Sequence, residues 1–258
     1  MHPTELDAAL NSATIEARYQ PIVRIADRTP VALEALARLN HPTRGTLMPE
    51  WFVPQMEESG LAARLTELIV DRALADLASP LLVAETLRLS LNFPLDVLLL
   101  PDALERLDRK RRDAGIAASR IVLEMTESRP VEDLAGLAAV LEKLRVDGYR
   151  VSIDDVLPAM PRLDELLQLP FGSLKFDRSV VQGQNTSPEL LTFMQRVIAI
   201  AHGRRLVIVA EGVEDVPTWQ RLAELGVELA QGFLIARSMP ADAVPGWLEA
   251  WQQQPAFS

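Results

Sequence analysis

Short apolar runs alternate with amphipathic helical stripes along almost the whole chain, and this alternation limits the fold more than any other feature. Residues 17–23, 31–36, 87–91, 121–123, 151–153, 174–176 and 206–210 have the length and composition of buried strands, and an eighth run surrounds residues 232–235. Between them lie stripes with helical spacing. The clearest is Leu134, Leu137, Val140, Leu141 and Leu144; others run through Leu61, Leu65 and Leu68, and through Leu191, Met194, Val197 and Ile198. Pro94, Pro101, Pro130, Gly148, Pro170 and Gly226 punctuate the joints. Eight strands separated by helices, in roughly 250 residues, predict an α/β fold, a modified TIM (β/α)8 barrel. A doubly wound open sheet is the alternative. The first two runs are joined by residues 25–30, too few for a crossover helix, so they are expected to pair antiparallel.

No linker, low-complexity tract or internal repeat interrupts the 258 residues, which predicts one domain over residues 1–258 with its core at about 15–245. Hydrophobic residues at 48% are enough for a sizeable core. The net charge of −10 argues against a general grip on DNA or RNA polymers, which needs a basic face. With no cysteine there is no disulfide, thiolate metal site or cysteine nucleophile. The N-terminal residues lack the pattern of a signal peptide, and no apolar run has the ~18 residues of a membrane span. A cytoplasmic location is the expectation.

Polar residues stand at or just past the ends of these runs: Glu34, Asn92, Glu124, Asp154 with Asp155, Lys175 with Asp177, Glu211 and Gln231. In a barrel those strand ends converge on one mouth. Any one of these acids alone reads as a turn former or helix cap. Their recurrence at strand after strand points instead to carboxylates crowded into a small volume, which repel unless cations neutralise them. Oxygen donors with one Asn suit hard divalent ions such as Mg2+ or Mn2+, one or two of them, with a lysine alongside. Glu57, Glu58 and Glu67 read as solvated helix faces, and His2, His41 and His202 have no zinc-type spacing.

Several blocks resemble one family in order and spacing. Glu34-Ala35-Leu36, LSLNFP with Asn92, LEMTES with Glu124 and Glu127, SIDD with Asp154 and Asp155, LKFDRSVV, AEGVED and AQGFLIARSMP are similar to the blocks of the EAL-domain family of cyclic di-GMP phosphodiesterases. The resemblance runs from Tyr19 to Pro240. It implies hydrolysis of cyclic di-GMP to linear pGpG with two divalent cations, Mg2+ or Mn2+, and a homodimer as the family assembly. Glu34, Asn92, Glu124 and Asp154 match ligands of one ion. Asp154 also matches the bridge to a second ion, which Asp155, Asp177 and Glu211 supply or support. Lys175 matches the residue that orients the attacking water, Glu211 the proton acceptor, and Glu34 also counts among the catalytic set. Arg38 matches an arginine that contacts a substrate phosphate, while Gln20 and Gln231 match positions near substrate or bound water. Glu127 and Glu214 match supporting positions.

The chain departs from the family in one loop. Where the family reads DDFGTGYSSL, residues 154–163 read DDVLPAMPRL: Leu157 and Ala159 replace both glycines, and Pro158 and Pro161 are added. Glycine permits backbone shapes closed to other residues and proline fixes φ, so this loop is expected to take another shape. Ser238 stands where a proline is more usual. The altered loop leaves open a receptor that binds cyclic di-GMP and hydrolyses it poorly, or an interaction module that has lost nucleotide binding. Retention of every metal ligand together with Lys175 favours hydrolysis. Eight acids of the proposed site, against Lys175 and Arg38, account for much of the negative charge, which predicts strict dependence on divalent metal.

Overall fold

The short joint between the first two runs does force an antiparallel pair. In the computed structural model, which describes residues 1–12, 14–79, 82, 86–126, 131–255 and 257, β1 (Ile15–Arg24) pairs with β2 (Pro30–His41) from Ile15↔Leu39 to Val23↔Pro30. The end of β2 carries a short outer strand, β3 (Gly45–Leu47), as an antiparallel flap. Five parallel strands follow: β4 (Arg88–Asn92), β5 (Ile121–Met125), β6 (Arg150–Val156), β7 (Ser173–Phe176) and β8 (Val207–Ala210). A two-residue strand, β9 (Leu229–Ala230), lies parallel to β8 and antiparallel to β1 through Val23↔Ala230 and Arg24↔Leu229. That last pairing closes an eight-stranded mixed barrel, with β3 outside the ring.

One strand assignment is corrected. Residues 232–235 form a turn just beyond the final strand, in which the Ile235 amide donates to the Gly232 carbonyl at 3.0 Å. A side chain at Gly232 would collide with the backbone of Val213. The glycine therefore serves a close crossing of two backbones, and the apolar residues after it pack in a turn that the pattern alone does not separate from a strand.

The predicted stripes bury their faces against the barrel. In helix Leu134–Val146, Leu137, Leu141 and Leu144 are buried; in helix Ala62–Ala78, Leu65 leads a buried row that continues through Ile69, Ala73 and Leu77. Helix Pro188–Arg204 buries Met194, Val197, Ile198 and Ala201. This layer between helices and strands is the main core. Ile22, Ala32 and Val209 form a separate small cluster. Residues two apart on a strand share a face, so these three stand on the same face as Gln20, Glu34 and Glu211. They make an apolar floor inside the barrel, below the polar residues of its mouth.

Candidate active site

Strand register assembles the site. Glu34 pairs with Ser90, Asn92 with Glu124, Glu124 with Ser152, and Ser152 with Ser173. Paired residues share a face, as do residues two apart, so Glu34, Asn92, Glu124, Asp154 and Lys175 all face the barrel interior near its C-terminal rim. Simple alternation would send Asp155 to the opposite side from Asp154. Instead β6 carries one extra residue against β7, because Ile153 pairs with Leu174 and Val156 with Phe176. Asp155 takes up that residue in a left-handed conformation, φ +51°. Asp tolerates this region better than most residues. The bulge brings one carboxylate oxygen each of Asp154, Asp155 and Glu211 within 4.8 Å of one another.

Lys175 is the hub. Its side chain is 1% exposed and forms an ion pair with Glu211. Its Nζ also lies 3.1 Å from Glu124, 3.2 Å from Asp154 and 3.4 Å from Glu34. Burial alone would discharge such an amine, but the four surrounding acids hold it protonated well above the usual lysine range. One cation cannot satisfy four carboxylates, three of them buried and Glu211 partly so. Burial pushes Glu124 up well above the usual range, and the negative charges of Glu34, Asp154 and Glu211 add to that, against the pull of Lys175. Asp154 is raised by burial and by Glu34. Glu211 is pushed up to about 8, by burial first and then by Asp154 and Glu34. Asp155, nearer solvent, is pushed up to about 6 by the surrounding protein and by Asp154. Glu34 behaves differently. Its burial is outweighed by Lys175 and by two amide donors, Gln231 at 2.6 Å and Asn92 at 2.9 Å, so it stays below the usual range.

The donor set fits divalent cations. Asp154 Oδ1 is buried, and although it lies 3.2 Å from Lys175 it accepts no hydrogen bond. Gln231 Oε1 is likewise buried without a partner. Oxygen donors left unsatisfied in a crowded acidic pocket are the chemistry of a hard-cation site.

Other expected residues fall around this centre. Gln20 accepts from Gln231 at 3.2 Å and donates to the Ala236 carbonyl at 3.0 Å. Arg38 is buried and lines the cleft. Asp177 is not part of the Asp154–Asp155–Glu211 group. Its Oδ1 caps helix Arg178–Gly183 by accepting from the Ser179 amide at 2.8 Å, although its charge still raises Asp155. Glu214 pairs with Arg178 at 2.8 Å on the rim. Glu127 lies outside the described residues.

Above the acids opens a cleft of about 1070 Å³. Three arginines that the strand-end pattern does not flag, Arg18, Arg178 and Arg237, line it together with Arg38. Arg237 stacks on the half-exposed Phe233 with 4.0 Å between guanidinium carbon and ring centroid. Arg178 and Arg237 stand inside the stretches LKFDRSVV and AQGFLIARSMP, and that is the signal the sequence offers for them. Glu57, read as a solvated face, also lines the cleft. The altered loop supplies part of the wall through Leu157, Ala159, Met160 and Pro161.

The EAL domain family matches residues 4–238 of this sequence. The chain belongs to that family. It is 35% identical over 249 residues to the cyclic di-GMP phosphodiesterase NbdA of Pseudomonas aeruginosa, covering 96% of this chain and 32% of that protein. It is 31% identical over 231 residues to the cyclic di-GMP phosphodiesterase RocR of the same organism, covering 90% of this chain and 59% of the relative. The chain thus spans about one third and three fifths of these two relatives. Among solved structures, the EAL enzyme Bd1971 with cAMP and cyclic di-GMP bound superposes with a TM-score of 0.89 at 28% identity, covering 95% of this chain and 68% of that one. The PaMucR phosphodiesterase in complex with c-di-GMP gives 0.87 at 28% identity, covering 93% and 98%. No helix among the described residues is long and apolar enough to cross a membrane.

Proposed function

We propose that this EAL domain is a metal-dependent phosphodiesterase that hydrolyses cyclic di-GMP to linear pGpG. The observation that carries the reading is the buried Lys175 among four carboxylates, one of them with an unsatisfied oxygen, beneath an arginine-lined cleft. The names of NbdA, RocR and PaMucR supply the substrate.

Glu34, Asn92, Glu124 and Asp154 would hold one divalent cation, Mg2+ or Mn2+, and Asp154, Asp155 and Glu211 a second, with Asp177 in support. Such ions supply Lewis-acid charge at the phosphate and lower the pKa of an attacking water. Lys175 keeps the carboxylates from spreading apart and orients that water. Glu211 in its ionised form, its proton affinity raised by burial and by Asp154 and Glu34, takes the water's proton as oxygen bonds to phosphorus. The bond from phosphorus to the 3′ oxygen breaks, and that oxygen takes the proton Glu211 received and leaves as the free hydroxyl of pGpG. Arg38 offers a planar fork to the non-bridging phosphate oxygens. Gln20 and Gln231 fix Glu34 and the substrate side of the pocket.

Incubation of the purified protein with cyclic di-GMP and Mg2+ or Mn2+, followed by chromatography, is expected to yield pGpG, and none with chelator. Glu34→Ala is expected to slow turnover at least about a hundredfold, because Glu34 is both a cation ligand and the partner of Asn92 and Gln231. Binding without product in excess Mn2+ would make the domain a receptor instead.

A further inference from the structure

Of the four cleft arginines, Arg38 is the buried one, 3% exposed. A buried cation is costly unless it is paired or hydrogen-bonded. The partners of Arg38 among the described residues are both neutral: Nη1 donates to the Ala37 carbonyl at 2.8 Å, and Nη2 donates to Ser238 Oγ at 2.8 Å. Burial is the first cause holding its pKa below the usual arginine range. A guanidinium carries five N–H donors, so three are left for an anion that enters the cleft.

The hydroxyl that holds this guanidinium stands on a fixed support. On one side of Ser238, Met239 and Tyr19 exchange both backbone hydrogen bonds, at 2.7 and 2.9 Å. On the other, the Ala236 carbonyl accepts from Gln20 at 3.0 Å. The segment around Ser238 is thereby laced to β1, the strand that neighbours Arg38 on β2, where Glu16 pairs with Arg38. A long side chain on one strand is thus tethered at its tip to a second segment that is itself hydrogen-bonded to β1. That arrangement removes rotamer freedom before a ligand arrives.

We infer that Ser238 is a positioning residue, whose hydroxyl holds the Arg38 fork ready for a substrate phosphate. This rests on the phosphodiesterase reading. It also gives the Ser-for-Pro departure a purpose, since a proline offers no hydroxyl and leaves the arginine tip to be ordered by the ligand.

The test is steady-state hydrolysis of cyclic di-GMP by the parent, Ser238→Ala and Ser238→Thr, with Arg38 guanidinium NMR spectra of each free protein. Loss of this one positioning hydrogen bond is expected to raise KM roughly three- to tenfold in Ser238→Ala with kcat little changed, and the retained hydroxyl of Ser238→Thr is expected to restore it. The Arg38 Nη signals, separate in the parent through slow rotation, are expected to merge in the alanine variant only. Unchanged KM, a fall in kcat alone, or Nη signals that are alike in parent and Ser238→Ala would overturn the role of Ser238. A parent that neither binds nor hydrolyses the dinucleotide would overturn the phosphodiesterase reading and this role with it. Its own titration distinguishes that failure from failure of the tether.

Discussion

Lys175 and its four acids set the behaviour of the domain at the scale of single residues. Without metal, Glu124, Asp154, Asp155 and Glu211 all ionise at higher pH in the folded chain than in the unfolded one. Between the ordinary carboxylate value near 4 and the folded values of about 6 for Asp155 and about 8 for Glu211, the native state therefore binds more protons. Stability of the metal-free protein falls as pH rises through that window. Glu34, held below its usual range, acts in the opposite sense but is one group against four. Lys175, raised, contributes its stability fully throughout this window and loses it only at much higher pH. Thermal melts in chelator are expected to show Tm declining from pH 5 to pH 8, with Mg2+ or Mn2+ restoring most at the alkaline end. A chelated protein whose Tm climbs steadily over that range would contradict the charge balance described. The strand-end pattern placed the acids and the lysine at one mouth. What it could not contain is the order in which they ionise, because burial and four-way contact exist only after the barrel closes.

At the scale of one element, the loop after β6 shows how the chain manages without the family's two glycines. The β-bulge at Asp155 already delivers both aspartates to the mouth, so the residues after Val156 need not do so. Residues 157–162 are then fixed from the far end. Arg162, left-handed at φ +54°, donates to the Val131 carbonyl at 2.7 Å and the Glu132 carbonyl at 3.2 Å, and pairs with Glu165 at 2.7 Å. Pro158 and Pro161 restrict the chain between, and the Met160 amide closes a turn on the Leu157 carbonyl at 3.1 Å. Arg162→Ala is expected to leave global stability nearly unchanged, because its side chain is exposed, while the amides of Leu157, Ala159 and Met160 exchange their hydrogens markedly faster. Equal exchange in variant and parent would remove Arg162 as the anchor. The substitutions predict a changed loop, and the support that Arg162 gives it is not legible in the sequence. Val131 and Glu132 lie some thirty positions away, and nothing in either residue marks it as a partner.

For the whole molecule, closure depends on a narrow seam. β9 contributes only two residues, and its pairing with β1 is also two residues long. Beside that seam, Arg28 in the β1–β2 turn is stacked over Trp251, 4.3 Å from the ring centroid, and bonds the carbonyls of Gln254 and Pro255 at 2.7 Å each. Trp251 Nε1 returns a bond to the Arg28 carbonyl at 2.8 Å. The C-terminal helix Val244–Gln253 is therefore fastened to the first hairpin. Trp251→Ala is expected to destabilise the domain by about 3–5 kcal/mol in denaturant unfolding, as loss of a buried aromatic usually does. A cost under about 1 kcal/mol would show that the seam holds without this clasp.

By itself the sequence determined the alternation of strands and helices, the antiparallel first pair, and the set of oxygen donors that meet at the strand ends. Those follow from periodicity and joint length, which are local properties of the chain. It misplaced the last strand, because apolar residues in a tight turn look like apolar residues in a strand. Only the tertiary structure decided that Asp155 turns inward, that Glu211 reaches Lys175, that arginines rim the acids, and that Ser238 holds Arg38. The first comes from a bulge in the register of two neighbouring strands, and the others join residues distant in sequence; register and packing of this kind are encoded by no local pattern.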